Sequence, residues 1–381
     1  MATNLIINKR ITCFQQYLYQ LIKLSIIIGF IIQSGCTTTP ETNAKDKPIP
    51  VFPPPPEKAR FIYERSLYSS LDVSSEDSVN RFRRLVTGEQ RRGKGLAKPF
   101  DVKVYQGRVY VSDTVHRTVM VFDIKGKRFF EIGKEDPGQL YLPLGISIDN
   151  QGSIYVCDAT AKRVVVYDRD GNYLRVIGGK SYFTRPSGLT VDSSGNRLYV
   201  VDTGGVTAKV HQVQVFNAKT GEFIKSIAKR GSADGELNLP RDAVITADGD
   251  LYVVDGGNFR IQIFGKEGNF KFGFGDVGRR SGQFSRPKGI SADKQGNIYI
   301  VDAAFGNIQI FSPKGKLLMV IGKRGNKDAP GRYMLPAGID VAEDGRVYVV
   351  DQFFRKVDIY KPVSELDKIN QSTNHSVKVN K

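Results

Sequence analysis

Six aspartates follow short apolar runs at regular intervals, and their carboxylates are the first groups in the sequence that could do chemistry. They are Asp113, Asp158, Asp202, Asp255, Asp302 and Asp351. Gathered around one channel, six carboxylates could bind a cation. Each is followed by turn residues, however, and an Asp there can accept hydrogen bonds from following backbone N–H groups. Six unneutralised carboxylates in one ring would also repel one another. We therefore predict that they are structural turn residues, with no bound metal and no cofactor.

Other residues that support catalysis are few. Among the three histidines, His116 and His211 lie within the repeated region and His375 lies near the C-terminus. The chain has no Gly-x-Ser-x-Gly, no His-Glu-x-x-His and no phosphate-binding loop. We interpret His116 as a residue at the rim of a binding face rather than as a general base. No catalytic residue is assigned, and the chain is predicted not to be an enzyme. The alternative is a metal-dependent hydrolase or lyase acting in a central channel.

The aspartates belong to a larger repeat. Each lies between a proline and a closing aromatic residue, and the prolines recur every 43 to 54 residues from Pro99 to Pro336. Periods in this range indicate a repeat architecture. Each repeat contains apolar, alternating and turn-forming segments that suit four short antiparallel strands, which is one blade of a β-propeller. The sequence therefore predicts an all-β, six-bladed β-propeller of four-stranded blades.

One repeat resembles a known family over most of its length. Ser281–Asp293, Gly296–Asp302 and Asn307–Phe311 resemble the NHL repeat. The resemblance covers residues 98–362 and implies a six-bladed ring whose proline and aspartate turns open on one face. The family includes ligand-binding, RNA-binding and a few enzymatic members. This chain departs from the family pattern at Asp101 and Asp242, where Gly is usual.

The ring must close around its last repeat, which ends near Pro362 after three strands. Arg60–Leu67 is the only strand-like run before Lys98, and we predict that it supplies the missing outer strand. Such a strand would cover two sheet edges. A short helix is predicted over Ser75–Val86. Residues 60–97 thus form a joining segment, residues 98–362 the six repeats and residues 363–381 a disordered tail.

The N-terminal region has the pattern of an export signal. Residues 1–35 have basic residues, no acidic residue and a nine-residue apolar core, which is typical of a signal peptide. The core leads into Ser34, Gly35 and Cys36, which resembles a bacterial lipobox and implies lipidation of Cys36. Gln33 departs from that pattern. Residues 36–59 are rich in Thr, Pro and Lys and predict a semi-rigid tether. Thr37 favours the outer over the inner membrane of a bacterial envelope.

The net charge of the chain indicates the kind of partner that it binds. The chain has 56 basic and 39 acidic residues, a net charge of +17. A basic surface favours anionic partners. Because the export signal disfavours nucleic acid, we expect an envelope protein or an anionic glycan to bind a monomeric ring. The expected function is a lipid-anchored binding or scaffold protein.

Candidate residues for the binding face follow the aspartates and prolines. The third repeat has five extra residues within Thr203–Gln212, and insertions in repeat proteins map to loops, often on the binding face. The predicted face combines basic and aromatic side chains, which can bind an acidic or glycan-like ligand. It consists of His116, Arg117, Arg163, Lys209, His211, Arg241, Arg260, Lys288, Phe305, Phe353 and Arg355.

Overall fold

The structure, a computed structural model, describes residues 48–75, 85–88, 90 and 92–363. The strands belong to one compact unit that begins at Ile49. Among the described residues, no helix has the length and apolar character needed to cross a membrane. The signal peptide, Cys36 and nearly all of the predicted tail lie outside the described residues.

Strands occupy most of the described chain. Two precede the first repeat: β1 (Val51–Phe52) and β2 (Phe61–Leu67). Blade one consists of β3 (Pro99–Tyr105), β4 (Arg108–Asp113), β5 (Thr118–Asp123) and β6 (Arg128–Ile132). Blade two consists of β7 (Pro143–Ile148), β8 (Ile154–Asp158), β9 (Arg163–Tyr167) and β10 (Tyr173–Ile177). Blade three consists of β11 (Pro186–Val191), β12 (Arg197–Asp202), β13 (Gln212–Asn217) and β14 (Phe223–Ile227). Blade four consists of β15 (Ala243–Ile245), β16 (Leu251–Asp255), β17 (Arg260–Phe264) and β18 (Phe270–Phe274). Blade five consists of β19 (Pro287–Ala292), β20 (Ile298–Asp302), β21 (Asn307–Phe311) and β22 (Leu317–Ile321). A two-stranded connection, β23 (Lys323–Arg324) and β24 (Arg332–Tyr333), leads to β25 (Pro336–Val341), β26 (Val347–Asp351) and β27 (Lys356–Pro362).

The blades form a ring, as the sequence predicted. Each of the first five is a four-stranded antiparallel sheet whose strands pair in chain order. The first strands of the six blades, β3, β7, β11, β15, β19 and β25, contact one another in a closed circle. They therefore line the central channel, and the fourth strands lie outermost.

The N-terminal strand closes the ring, which confirms the prediction for Arg60–Leu67. The last sheet has the order β1-β2-β27-β26-β25, with β2 antiparallel to β27. Ser66 donates a hydrogen bond of 2.5 Å to Asp358 of β27, and Glu64 forms an ion pair of 2.7 Å with Arg346. The pairing covers the open edge of β27, which would otherwise be a site for association with other chains.

The core consists of six apolar clusters, one for each pair of neighbouring blades. The cluster between blades one and two joins Tyr110 and Val121 to Ile146 and Val156. The closing aromatics of the repeats are all buried. Each blade therefore buries much of its apolar surface against its two neighbours, so closure of the ring is needed to bury the whole core.

After β2, the joining segment contains little regular structure among its described residues. A single 3-10 turn covers Ser70–Asp72, with Ser69 and Asp72 forming a capping box. Of the predicted helix, residues 76–84 lie outside the described part of the chain, and residues 85–87 are helical.

Candidate functional site

Two sets of loops open on one face of the ring. In blade one, Pro99 pairs with Asp113, so the loop before the proline and the hairpin after the aspartate are neighbours. The same pairing recurs in blades two, three, five and six. We call this side of the ring the Asp-turn face.

The repeated aspartates join the two kinds of loop. All six are fully buried. Asp113 accepts hydrogen bonds from Lys98 N at 2.9 Å, before the proline, and from His116 N at 3.0 Å, after the aspartate. Asp202 and Asp302 likewise accept bonds from the backbone of Arg185 and Arg286. Their oxygens therefore point into backbone donors, and these bonds fix the residues that precede the prolines.

Asp255 forms a different set of contacts. It accepts one backbone bond, from Asn238 N at 2.7 Å, and otherwise contacts side chains of its own hairpin. Arg260 lies at 2.9 Å, and Asn258 and Gln262 donate at 2.8 and 2.9 Å. In this blade an ion pair and side-chain amides contact the aspartate oxygens, whereas at Asp113 backbone N–H groups from both loops contact them.

The hairpins after the aspartates hold basic residues in an unusual backbone conformation. Arg117, Lys162 and Arg355 have φ values of 57°, 55° and 56°, four residues after their aspartates. Gly306 has the same place and conformation in blade five. A non-glycine residue pays about 1 to 2 kcal/mol in this left-handed region. Arg117 and Arg355 are exposed, so two of the residues with this strained backbone present side chains that are available to a partner.

A cluster of cations surrounds the channel entrance on this face. Lys98, Arg185 and Arg286 directly precede blade prolines, and Arg241 and Lys288 directly follow them. We call these five residues the cationic mouth. In the described part of the chain, none of their side chains takes part in a hydrogen bond or an ion pair. Burial and the nearby Arg185 and Arg286 lower the pKa of Arg241, so these like charges lie within electrostatic range of one another.

Acidic groups lie behind the mouth on the inner strands. In four blades the residue two positions after the proline is Gly; Asp101 and Asp242 hold that place in blades one and four. There is no room for another side chain, since a Cβ on Gly188 would lie 2.7 Å from the Cα of Asp242. Asp101 accepts a hydrogen bond of 2.9 Å from Ile146 N of the next blade, and Asp242 one of 3.3 Å from Ile290 N.

One lysine partly balances these acids. The Nζ of Lys103 lies 3.3 Å from Asp340. Burial alone would lower the pKa of Lys103, but Asp340, Asp101 and Asp242 raise it above the ordinary value. Burial, and then the charge of Asp101, raise the pKa of Asp242 to about 7. The channel thus has a positive entrance and an acidic interior. Within the described ranges, no three His, Cys, Asp or Glu side chains are grouped closely enough to hold a metal ion.

The predicted binding residues other than His211 divide into three groups. Arg117, Lys209, Arg241, Phe353 and Arg355 are exposed, whereas His116, Lys288 and Phe305 are half-buried. The remaining arginines of the prediction fix loops: Arg163 donates to Gln139 O at 2.8 Å, and Arg260 pairs with Asp255 and with Asp234 at 3.3 Å. These two guanidinium groups are engaged within the ring.

The prediction for His211 is wrong, because the structure buries this residue completely. Its Nε2 donates to Gly205 O at 2.9 Å, and its Nδ1 accepts from Leu239 N at 3.1 Å. Within the longer hairpin, these two bonds hold the imidazole in the interior. His211 therefore ties the inserted loop to blade four, while Lys209 and Val206 stay exposed.

The sequence prediction missed Lys98, Arg185 and Arg286. Each is a basic residue immediately before a repeat proline, and this shared place in the repeat is the signal that could have found them. Exposed apolar side chains on the same face were missed as well. They are Val115, Tyr141, Val206 and Val277, which lie on the same face as the predicted Phe353.

Comparisons with known proteins agree with the ring. A family profile described as a 6-bladed beta-propeller matches residues 81–183, and the NHL repeat profile matches residues 183–216 and 237–264. The chain is a six-bladed β-propeller. It contains NHL repeats, as the sequence resemblance implied.

Individual relatives share only part of the chain. The Drosophila melanogaster Protein brain tumor is 40% identical over 65 residues, which is 17% of this chain and 6% of that protein. A Bacteroides thetaiotaomicron protein of unknown function has a TM-score of 0.60 at 14% identity, covering 81% of this chain and 77% of that one. A Xanthomonas campestris gluconolactonase has a TM-score of 0.54 at 16% identity, covering 70% and 86%. At such identities the likeness shows the fold alone.

Proposed function

We propose that this protein is a binding propeller whose Asp-turn face recognises an acidic partner, foremost an acidic protein surface. The observation that carries the proposal is the cationic mouth, in which the five side chains have no acidic partner in the described part of the chain. Clustered unpaired cations raise the local potential, which attracts anions and speeds their association.

The surroundings of the mouth favour a protein over a purely polar ligand. Val115, Val206, Val277 and Phe353 are all more than half exposed on the same face. Apolar side chains next to arginines are typical of protein–protein contact regions, whereas a carbohydrate ligand would leave isolated valines unused. An acidic glycan remains the alternative ligand, and the two are separated by the test below.

The proposed setting is a bacterial envelope. In the sequence, residues 1–35 have the pattern of a signal peptide, and Cys36 ends a lipobox-like motif. Lipid on Cys36 would tether the ring to a membrane through the segment that follows it, of which Val51–Phe52 already belongs to the last blade. Replacement Cys36→Ser is expected to move the protein from membrane to soluble fractions and to abolish labelling by a fatty-acid probe. Unchanged labelling would argue against the anchor.

The binding test compares two faces of the ring. The double variant Arg185→Glu/Arg286→Glu reverses two exposed cations of the mouth. The control Lys125→Glu/Lys314→Glu makes the same charge change at exposed turns between third and fourth strands, on the opposite face. Binding to immobilised poly-glutamate is expected to weaken at least about tenfold, or about 1.4 kcal/mol, in the mouth variant only.

The binding test includes two further measurements, the dependence of binding on salt and the comparison of two acidic ligands. Because screening shortens to roughly 3 Å at 1 M salt, the difference between the two double variants should vanish there. Polygalacturonate, an acidic polysaccharide, is measured in parallel. Tighter binding to polygalacturonate than to poly-glutamate would favour a glycan partner, and equal loss of binding in both double variants would refute a specific role for the mouth.

A further inference from the structure

Lys288 differs from the other members of the cationic mouth because it is half-buried while they are exposed. It directly follows Pro287 at the start of β19. The cations Arg286, Arg241 and Lys98 lie within electrostatic range of its ammonium group, and so does the carboxylate of Asp351. Asp351 forms no ion pair with it.

The oxygens of Asp351 are already occupied. One accepts backbone bonds from Met334 and Leu335 at 2.8 and 3.1 Å, and the other accepts from Phe353 and Phe354 at 2.8 and 2.9 Å. The carboxylate of Asp351 still attracts the Lys288 ammonium, but burial and the repulsion by three neighbouring cations outweigh that attraction. The environment therefore shifts the equilibrium of Lys288 toward the uncharged amine.

Burial, and then the nearby Arg286 and Arg241, lower the pKa of Lys288 to about 8. At pH 7.5 such a lysine has on the order of a hundredfold more free amine than an ordinary one. Two other deeply placed lysines differ from Lys288 because each has a carboxylate partner. Lys103 lies 3.3 Å from Asp340, and Lys356 lies 3.0 Å from Asp358.

A free amine beside exposed arginines combines a nucleophile with a docking site for a negative charge. Lysines next to other cations are known to act as nucleophiles toward carbonyl compounds for this reason. We propose that Lys288 forms an imine with small anionic aldehydes or keto acids whose charged group is held by the other residues of the cationic mouth. The docking step rests on the proposed anion-binding role of the mouth, and the covalent step goes beyond it.

The chemistry balances without a further reactant. The uncharged Nζ attacks the carbonyl carbon, and proton transfer gives a neutral carbinolamine. Loss of its hydroxyl group as water then forms the C=N bond, with the amine proton passing to solvent. The reaction is reversible, so the bound compound is released by hydrolysis.

Reductive trapping tests the inference. The full-length protein is incubated with pyridoxal 5′-phosphate at pH 7.5, reduced with borohydride, which delivers hydride to the C=N carbon, and digested for peptide mapping. About one adduct per chain at Lys288 is expected at limiting reagent. Pyridoxal, which lacks the phosphate, should label Lys288 at least tenfold less. The control Lys314→Arg should keep the adduct.

Lys288→Arg separates this proposal from the proposed function. The variant keeps a positive charge at this position but lacks the nucleophilic amine, so the adduct should be lost, while poly-glutamate binding is measured separately on the parent protein and on Arg185→Glu/Arg286→Glu. If poly-glutamate binding to the mouth fails in every form but Lys288 still traps the aldehyde, only the proposed function is wrong. Label spread over many exposed lysines, or equal uptake by Lys288→Arg and the parent protein, would overturn the imine site.

Discussion

Asp242 offers a direct test of the electrostatics inside the ring. Its carboxyl group lies where four of the blades have Gly, and it is partly exposed along the channel. The substitution Asp242→Asn removes the titrating proton but keeps an oxygen that can accept the 3.3 Å hydrogen bond from Ile290 N. We expect this change to alter how the stability of the protein depends on pH.

The expected effect follows from the difference between folded and unfolded states. Burial and the charge of Asp101 raise the pKa of Asp242 to about 7, against 3.8 for an ordinary Asp. The folded state therefore binds this proton more tightly than the unfolded state does. The resulting stabilisation is fully present below the unfolded pKa and is lost as pH rises through the folded pKa. Between pH 5 and pH 8 this one group should remove about 2 kcal/mol, after allowance for its partial exposure.

The measurement is urea unfolding at several pH values from 5 to 8. The chain contains no tryptophan, so far-UV circular dichroism follows the transition. The free energy of unfolding of the parent should fall with pH more steeply than that of Asp242→Asn, by about 2 kcal/mol over the range. Asp248→Asn, at an exposed turn of the same blade, should run parallel to the parent. Parallel curves for the parent and Asp242→Asn would refute the assigned environment.

Three further outcomes are expected. Deletion of residues 60–67 should expose the edge of β27 and cause aggregation, seen by light scattering; a soluble ring with unchanged melting would contradict the closure. His211→Ala should lower the free energy of unfolding by about 1 to 3 kcal/mol, since Leu239 N loses its acceptor, while poly-glutamate binding stays the same. Lys356→Met should cost about 3 to 5 kcal/mol in urea unfolding, because Asp358 would be left buried without its partner, and a neutral result would show that Asp358 is protonated.

The architecture was predictable because it depends on local patterns. Each repeat specifies its own strands through alternating apolar residues and turn-forming residues. Six copies of this pattern all predict the same four-stranded blade. The closing strand was also predictable, because a three-stranded last blade needs one more strand and Arg60–Leu67 is the only suitable run before Lys98. The structure confirms both, with β2 paired to β27.

The candidate site was predicted less well. Arg117, Arg241, Lys288 and Arg355 were named from their places in the repeat, and Lys98, Arg185 and Arg286 were not. The burial of His211 depends on how an inserted loop folds against the next blade, and loop length alone does not reveal it. In the same way, Arg163 and Arg260 look like free surface cations in the sequence and are engaged by contacts with neighbouring loops.

The sequence by itself determined the number of blades, the strand order and the place of every proline and aspartate, because these follow from patterns within each repeat. Only the tertiary structure decided which charges stay unpaired. Lys98, Arg185, Arg241, Arg286 and Lys288 come from four blades, and they meet only because ring closure brings the starts of the inner strands to one entrance. The oxygens of Asp351 are occupied by backbone N–H groups of its own blade, and Lys288 of blade five therefore forms no ion pair with it. Pairing is a property of distances in space, and repeat spacing fixes distances only along the chain.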